Sequence, residues 1–385
     1  MPAETITELE RDALLSSVIN LSDGHAHQSL GEESKCRVQD VVKCFLSGPA
    51  RPDYFAAERE FLDNLTAHTG QVFIPGQYAI TYASSVAMSM IAALVKRERR
   101  RVGVVCPTFD NIPGLLEVME VPLVPVPEEW LSPDCDFQRL DSLGIEAIVL
   151  VTPNNPTGTC LARAAMCDLM DWAARRHVQV IVDLAFRWFE PAMKWDLIAE
   201  ADARGADVIT IDDTGKILPL ADLKVSVLAA SRNICQRIQA IHNQYVLNVS
   251  ALTLRLLSVM LEPGRESNEI ARAARTIGEN RGYLDRVIDL YNETAVVTIP
   301  KPPSPTMSVQ WLRLPGEPEQ ILSHCRERGL EILPGRNFYW SMDTGGERHV
   351  RLAMMRDPSY FASGVDILID TLSGLIQPSN HIVRG

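Results

Sequence analysis

No C-x-x-C pair occurs among the eight cysteines, which lie scattered at 36, 44, 106, 135, 160, 167, 235 and 325. Scattered thiols in a long chain argue against a disulfide framework, and a reducing cytoplasm is the expected compartment. The segment Met1 to Arg11 is acidic and no apolar stretch approaches membrane-spanning length, so neither a secretion leader nor a membrane partner is expected. Positive charge is also short: 37 Lys and Arg against 49 Asp and Glu leave a formal net charge of −12. That balance speaks against nucleic acid as a partner, because backbone binding needs a basic face, although it permits a basic pocket. Metal ligands are lacking too. The turn His25-Ala26-His27 has no second ligand pair elsewhere, so no metal is expected. No internal repeat or low-complexity tract occurs.

What is present is enough for two lobes: 385 residues, 46% of them hydrophobic. Thr5 to Asn20 reads as a helix, followed by a turn at Asp23-Gly24. From residue 79 the chain alternates short β-rich runs with helical stretches. The runs are 79–83, 102–106, 122–126, 147–151, 178–182, 208–211 and 225–228. Most are continuously apolar, which predicts an α/β fold with a central sheet covered by helices on both faces. Long helices are expected over 232–262 and 266–291. Runs 306–312 and 350–354 around a helix at 317–329 suggest a smaller carboxyl-terminal lobe. The expected division is an amino-terminal helix and lid segment over 1–44, a large domain over 45–265 and a small domain over 266–385.

Open sheets of this kind bind ligands beyond the carboxyl ends of their strands. Ser84, Phe109, Asn155, Asp183 and Lys216 all fall there. Lys216 follows Val208–Ile211 in a turn with Gly215, and an amine desolvated in such a place can condense with an aldehyde. Asp183 closes Val180-Ile181-Val182, and a buried carboxylate seeks a cation, either a pyridinium nitrogen or nearby Arg187. Asn155 lies in the loop Thr152-Pro153-Asn154-Asn155-Pro156-Thr157-Gly158, where an amide can reach a phenolate oxygen. Ser84 and Ser85 open a helix, a ready anion site or a plain cap. Phe109 is positioned to stack on a planar ring or to join the core. Arg351 alternates with apolar neighbours, which suits a bidentate grip on a carboxylate, whereas Arg348 and Arg356 read as members of surface ion pairs.

These residues resemble those of the fold-type I pyridoxal phosphate (PLP) enzymes of the aspartate aminotransferase superfamily, over nearly the whole chain. The resemblance implies a seven-stranded, mainly parallel sheet, a smaller α+β domain and a homodimer. It also implies that Lys216 forms the Schiff base with PLP, Asp183 pairs with the pyridine nitrogen and Asn155 contacts the ring hydroxyl. Ser84, Ser85 and Lys224 would hold the phosphate, Phe109 would stack on the ring, and Arg351 would hold the substrate α-carboxylate. Two positions depart from the aminotransferase pattern: Lys224 replaces the usual arginine, and Phe186 a common tyrosine.

Ser22-Asp23-Gly24-His25-Ala26, Pro107-Thr108-Phe109-Asp110-Asn111-Ile112, Asp212-Asp213-Thr214-Gly215-Lys216 and Asp222-Leu223-Lys224 resemble segments of the PLP-dependent L-arginine oxidases. Those enzymes, from antibiotic pathways, use dioxygen without a metal or flavin. The narrower resemblance implies oxidation of free L-arginine to 4-hydroxy-2-oxoarginine, with 2-oxoarginine as side product. Lys216 would remove the Cα proton, His25 would help water add at C4, and the amino-terminal segment would close over the substrate. Thr7, Glu10, Asp23 and Asp213 are candidate substrate contacts, Glu10 with Asp213 as an acidic clamp for the guanidinium. An arginine desaturase or a conventional aminotransferase is the alternative. A PLP-binding transcription regulator would need a basic helix-turn-helix module ahead of this fold, and only about forty acidic residues precede the large lobe.

Overall fold

A computed structural model describes residues 5–15, 18–47, 53–264, 269–300, 307–341 and 345–376. The chain opens with helix α1 (Ile6–Leu15), whose buried Ile6, Leu9, Glu10 and Ala13 form one face. The expected helix to Asn20 stops earlier, because Ile19–Asn20 is a short strand, β1, pairing in parallel with β10 (Leu330–Glu331). Helices α2 (Glu32–Ser47) and α3 (Tyr54–Thr69) follow, and both pack on α10 (Ala251–Leu261).

The central sheet contains β2 (Tyr78–Thr81), β3 (Val102–Cys106), β4 (Leu123–Pro127), β5 (Ala147–Val151), β6 (Gln179–Asp183), β7 (Val208–Asp213) and β8 (Ser226–Ala230). Their order is β2-β8-β7-β6-β5-β3-β4. Only β8 runs against its neighbours; the other pairings in the body of the sheet are parallel. Strands β3, β5, β6, β7 and β8 are buried at every residue, as expected of a sheet covered on both faces. The covering helices are α4 (Ser84–Arg97), α5 (Asn111–Val118), α6 (Phe137–Ser142), α7 (Arg163–Arg176), α8 (Leu197–Arg204) and α9 (Cys235–Tyr245). The single helix expected over 232–262 is two. Val246 adopts an extended conformation after α9, and Ser250 then caps α10 by accepting from Thr253 N.

Helix α11 (Glu269–Thr294) packs against α13 (Pro358–Ile376). Between them lie β9 (Val309–Arg313), α12 (Pro318–Glu327), β10, β11 (Leu333–Pro334) and β12 (His349–Ala353). The order β11-β12-β9 makes a second, antiparallel sheet. Thr306 and Pro302-Pro303 lie outside the described residues. One apolar core fills the space around the large sheet, and a second joins the small sheet to α3, α10, α11 and the Ile217–Leu218 turn. A third, small cluster seats α1: Ile6 and Leu9 against Trp311, Leu333 and Phe338, with Phe109 alongside. Among the described residues no helix is long and apolar enough to cross a membrane.

Candidate active site

The carboxyl ends of β2, β3, β5, β6 and β7 share one edge of the sheet, so the residues after them converge. Lys216 ends the short 3-10 turn Thr214–Lys216 directly after β7 and is half-buried. Its Nζ lies 5.9 Å from the Phe186 ring centroid. The turn depends on Gly215: a Cβ there would stand 2.8 Å from Lys224 Cδ and 3.0 Å from Asp213 Oδ1.

Asp183, last residue of β6, is buried and accepts a hydrogen bond from Ala185 N at 2.9 Å. Among the described residues no side-chain cation bonds it, and burial pushes its pKa up to about 6. Arg187 serves elsewhere. It lies 3.6 Å from Asp212 and donates to the carbonyls of Thr69, Met193 and Trp195. A buried carboxylate facing this edge without its cation fits a protonated pyridine nitrogen.

The loop after β5 is pinned by Asn154, which donates to Pro107 O at 2.9 Å and to Glu128 Oε1 at 2.5 Å. Asn155 is thereby aimed inward, where its Oδ1 accepts from Arg351 Nη1 at 3.1 Å. Arg351 is fully buried, not merely exposed on a strand face. Its Nη2 also bonds Glu10 Oε1 at 2.6 Å and the Ser22 carbonyl. Glu10 and Asp213, the expected guanidinium clamp, each have partners within the protein. Glu10 is spent on Arg351, while Asp213 accepts from Ser84 N at 3.1 Å and Gly215 N at 2.6 Å. Asp213 therefore ties the start of α4 to the Lys216 turn. Thr7 is exposed on α1, three residues before Glu10 and so its neighbour on the helix surface. Ser84 is half-buried and Ser85 exposed at the start of α4, and Phe109 is half-buried against the α1 cluster.

The Asp23-Gly24-His25 turn reaches this same edge. Ala26 N donates to Gly215 O at 3.3 Å, and Gln28 Nε2 to Ile217 O at 3.4 Å, stitching the turn to the Lys216 segment. His25 Nδ1 lies 2.6 Å from Asp23 Oδ1, and its Nε2 lies 3.0 Å from Lys224 Nζ. An ammonium only donates, so Nε2 accepts and Nδ1 carries the proton shared with Asp23. The charge of Lys216, then burial, lower the His25 pKa and keep the ring neutral. Burial opposes the charge on Asp23, yet hydrogen bonds from His25 and His27 hold its carboxyl well below the usual range. Lys224 is thus a partner of His25 as well as a close neighbour of Gly215.

Arg356, expected in a surface ion pair, is buried. Its guanidinium donates to Asn20 O at 2.9 Å, Asp23 O at 2.6 Å, His25 O at 3.1 Å and Met355 O at 2.9 Å. It shapes the turn that presents His25. The available signal was its place just beyond β12, where a neighbouring turn can be grasped.

The donors gathered here fit PLP: an amine at Lys216, an unpaired buried carboxylate at Asp183, an amide at Asn155, and hydroxyls and a cation at Ser84, Ser85 and Lys224. Comparison with known proteins agrees. The sequence matches the family described as aminotransferase class I and II over residues 25–365. Histidinol-phosphate aminotransferase 2 of Caulobacter vibrioides is 25% identical over 264 residues, 68% of this chain and 66% of that protein. A solved structure of MppP soaked with the product 2-ketoarginine is 29% identical, with a TM-score of 0.83, covering 92% of this chain and 99% of that one. Aspartate aminotransferase from Thermus thermophilus with maleate superposes with a TM-score of 0.76 at 14% identity, covering 96% and 97%. The chain belongs to the class I and II aminotransferase family, has the aspartate aminotransferase-like fold, and takes pyridoxal 5′-phosphate as its cofactor.

Proposed function

We propose that this enzyme oxidises free L-arginine with dioxygen as electron acceptor, releasing ammonia and hydrogen peroxide and yielding 4-hydroxy-2-oxoarginine, whose hydroxyl comes from water, and, as a side product, 2-oxoarginine, in specialised-metabolite biosynthesis. The observation that carries the reading is the neutral His25 held by Asp23 on a turn bonded to the Lys216 segment. A conventional aminotransferase needs no second base delivered by an amino-terminal turn. The likeness to MppP, solved with 2-ketoarginine, supports arginine as the substrate.

Bound PLP supplies the electron sink that makes a Cα proton removable. Lys216 Nζ takes that proton. With the cofactor bound, Asp183 would keep the ring nitrogen protonated, Asn155 would bond the ring oxygen, and Phe109 would lie against the ring. Ser84, Ser85 and Lys224 hold the phosphate. Phe186 would offer no hydroxyl to the ring oxygen, unlike a tyrosine. Arg351 grips the α-carboxylate. His25 Nε2 takes a proton from the water that adds at C4, and Asp23 holds the resulting imidazolium. The active unit is a homodimer in the cytoplasm.

Purified holoenzyme mixed with L-arginine in an oxygen electrode, without any 2-oxo acid, tests the proposal. Oxygen uptake is expected, with a hydroxylated product by mass. The aminotransferase reading, favoured by the aminotransferase relative, requires a 2-oxo acid and no oxygen. Electrode traces that ignore arginine would overturn the oxidase.

A further inference from the structure

His27 is a second imidazole on the carboxylate that serves His25. Asp23 Oδ1 accepts from His25 Nδ1 at 2.6 Å, and Asp23 Oδ2 accepts from His27 Nε2. An ionised carboxylate only accepts, so each ring directs an N–H at it. The Asp23 side chain is 2% exposed, against 22% for His25 and 33% for His27, so the two rings rather than bulk water answer its charge.

The rings face different surroundings. His25 Nε2 lies 3.0 Å from Lys224 Nζ at the cofactor edge. His27 sits on the other oxygen of Asp23 and lines a cavity of about 270 Å³ with Ala13, Asn20, Asp357 and Tyr360, none of them a cofactor-binding residue. Other charged and titratable groups come close without taking the place of Asp23. Lys216 and Lys224 approach from the cofactor side, Glu10 from α1, and Arg356, Asp357 and Tyr360 from the start of α13. Glu10 bonds Arg351 and Gly24 N, Asp357 bonds Ser29, and Tyr360 bonds the backbone at Val18 and Asn20. Among the described residues Asp23 is the only carboxylate bonded to either ring.

One buried negative charge balances one imidazolium; a second would stand uncompensated, a costly state. We propose that His27 is a positioning residue that sets the proton affinity of His25 by competing with it for the charge of Asp23. The inference rests on His25 as the base of the proposed reaction. While His27 is charged, Asp23 is spent on it and His25 stays neutral. Once His27 releases a proton to its cavity, Asp23 is free to hold the imidazolium formed when His25 Nε2 takes a proton from the water that adds at C4. One proton enters at His25 and one leaves at His27, so the charge of the cluster is constant through the step. Two rings joined in this way titrate as a pair.

The test separates the coupling from the chemistry. In holoenzyme without substrate, the His25 ring is titrated by nitrogen NMR in wild type, His27→Gln and His27→Lys, after melting curves confirm folding. Glutamine keeps a neutral N–H donor for Asp23, and lysine keeps a permanent charge there. The His25 pKa is expected to rise by roughly one pH unit in His27→Gln and to fall by a similar amount in His27→Lys. The hydroxylated fraction of the arginine product, followed against pH, should move with the same signs, because the base must be neutral to act. Its acid limb goes up in pH for glutamine and down for lysine. A merely structural role for His27 would move both variants the same way. NMR shifts that are absent, or of one sign in both variants, overturn the proposal. Opposite NMR shifts without a hydroxylated product keep the coupling and sink His25 as the base of the reaction.

Discussion

Lys216, Asp183 and Asn155 announce themselves locally, because each follows a buried strand and needs only that strand to reach the ligand edge. His25 differs. Its contacts are with Asp23, two residues away, and with Lys224, 199 positions along the chain. Replacing His25 with alanine removes the base but leaves Lys216 and Asp183 in place. Oxygen uptake should persist while the hydroxylated fraction falls by roughly a hundredfold or more in favour of 2-oxoarginine or a desaturated imine. Product mass spectra check this, and an unchanged hydroxylated fraction removes His25 from the mechanism. Arg356→Ala should give the same product shift by another route. It leaves the carbonyls of Asn20, Asp23 and His25 without their donor, and each buried acceptor so stranded costs roughly 1–3 kcal/mol. A lower melting temperature together with the product shift is expected; a lysine at 356 should restore only part, since it lacks the planar fork.

At the scale of elements, α1 carries Glu10 to Arg351 and is seated by a small apolar cluster. Fully burying a side chain such as Ile6 is worth about 1.5–3 kcal/mol, so this docking is modest and reversible. Ile6→Asp places a charge in that cluster and should undock α1 without touching PLP. The expected outcome is an unaltered cofactor spectrum, faster proteolytic cleavage near residue 15, and a raised KM for arginine. Equal protease resistance in variant and wild type would show that α1 is held by something other than Ile6. The element boundaries also mark where sequence patterning stops being informative. The break between α9 and α10 has no proline or glycine; the extended Val246 ends one helix and Ser250 caps the next, while apolar spacing runs on through it.

The molecule as a whole has a pH signature. Burial raises Asp110, Asp183 and Asp212 from 3.8 to about 6. A carboxyl whose folded pKa is raised contributes stability that is fully present below its unfolded value and is lost as pH rises through the folded value. The cofactor-free protein should therefore lose stability from these groups between pH 3.8 and about 6. Asp23 has the opposite sign, its lowered pKa contributing stability above the unfolded value of 3.8, so it does not cancel the trend in that window. Asp183→Asn removes one raised carboxyl and should flatten the melting-temperature profile over the same range. In the holoenzyme a pyridinium beside Asp183 should flatten it likewise, and parallel profiles for wild-type apo and holo protein would contradict the pairing.

The sequence alone determined the seven strands of the central sheet and the sheet edge at which Lys216, Asp183 and Asn155 fall. Period, apolarity and strand-end position are local properties, and local properties survive in a linear string. Tertiary structure alone decided who pairs with whom. Glu10 meets Arg351 across 341 positions, Asp23 O meets Arg356 across 333, and His25 meets Lys224 across 199. Such partners are chosen by the cost of burying a charge or a carbonyl unpaired, which depends on everything folded around it. That is why Arg356 read as a surface charge and is buried, and why the clamp expected of Glu10 and Asp213 is found with each carboxylate already engaged.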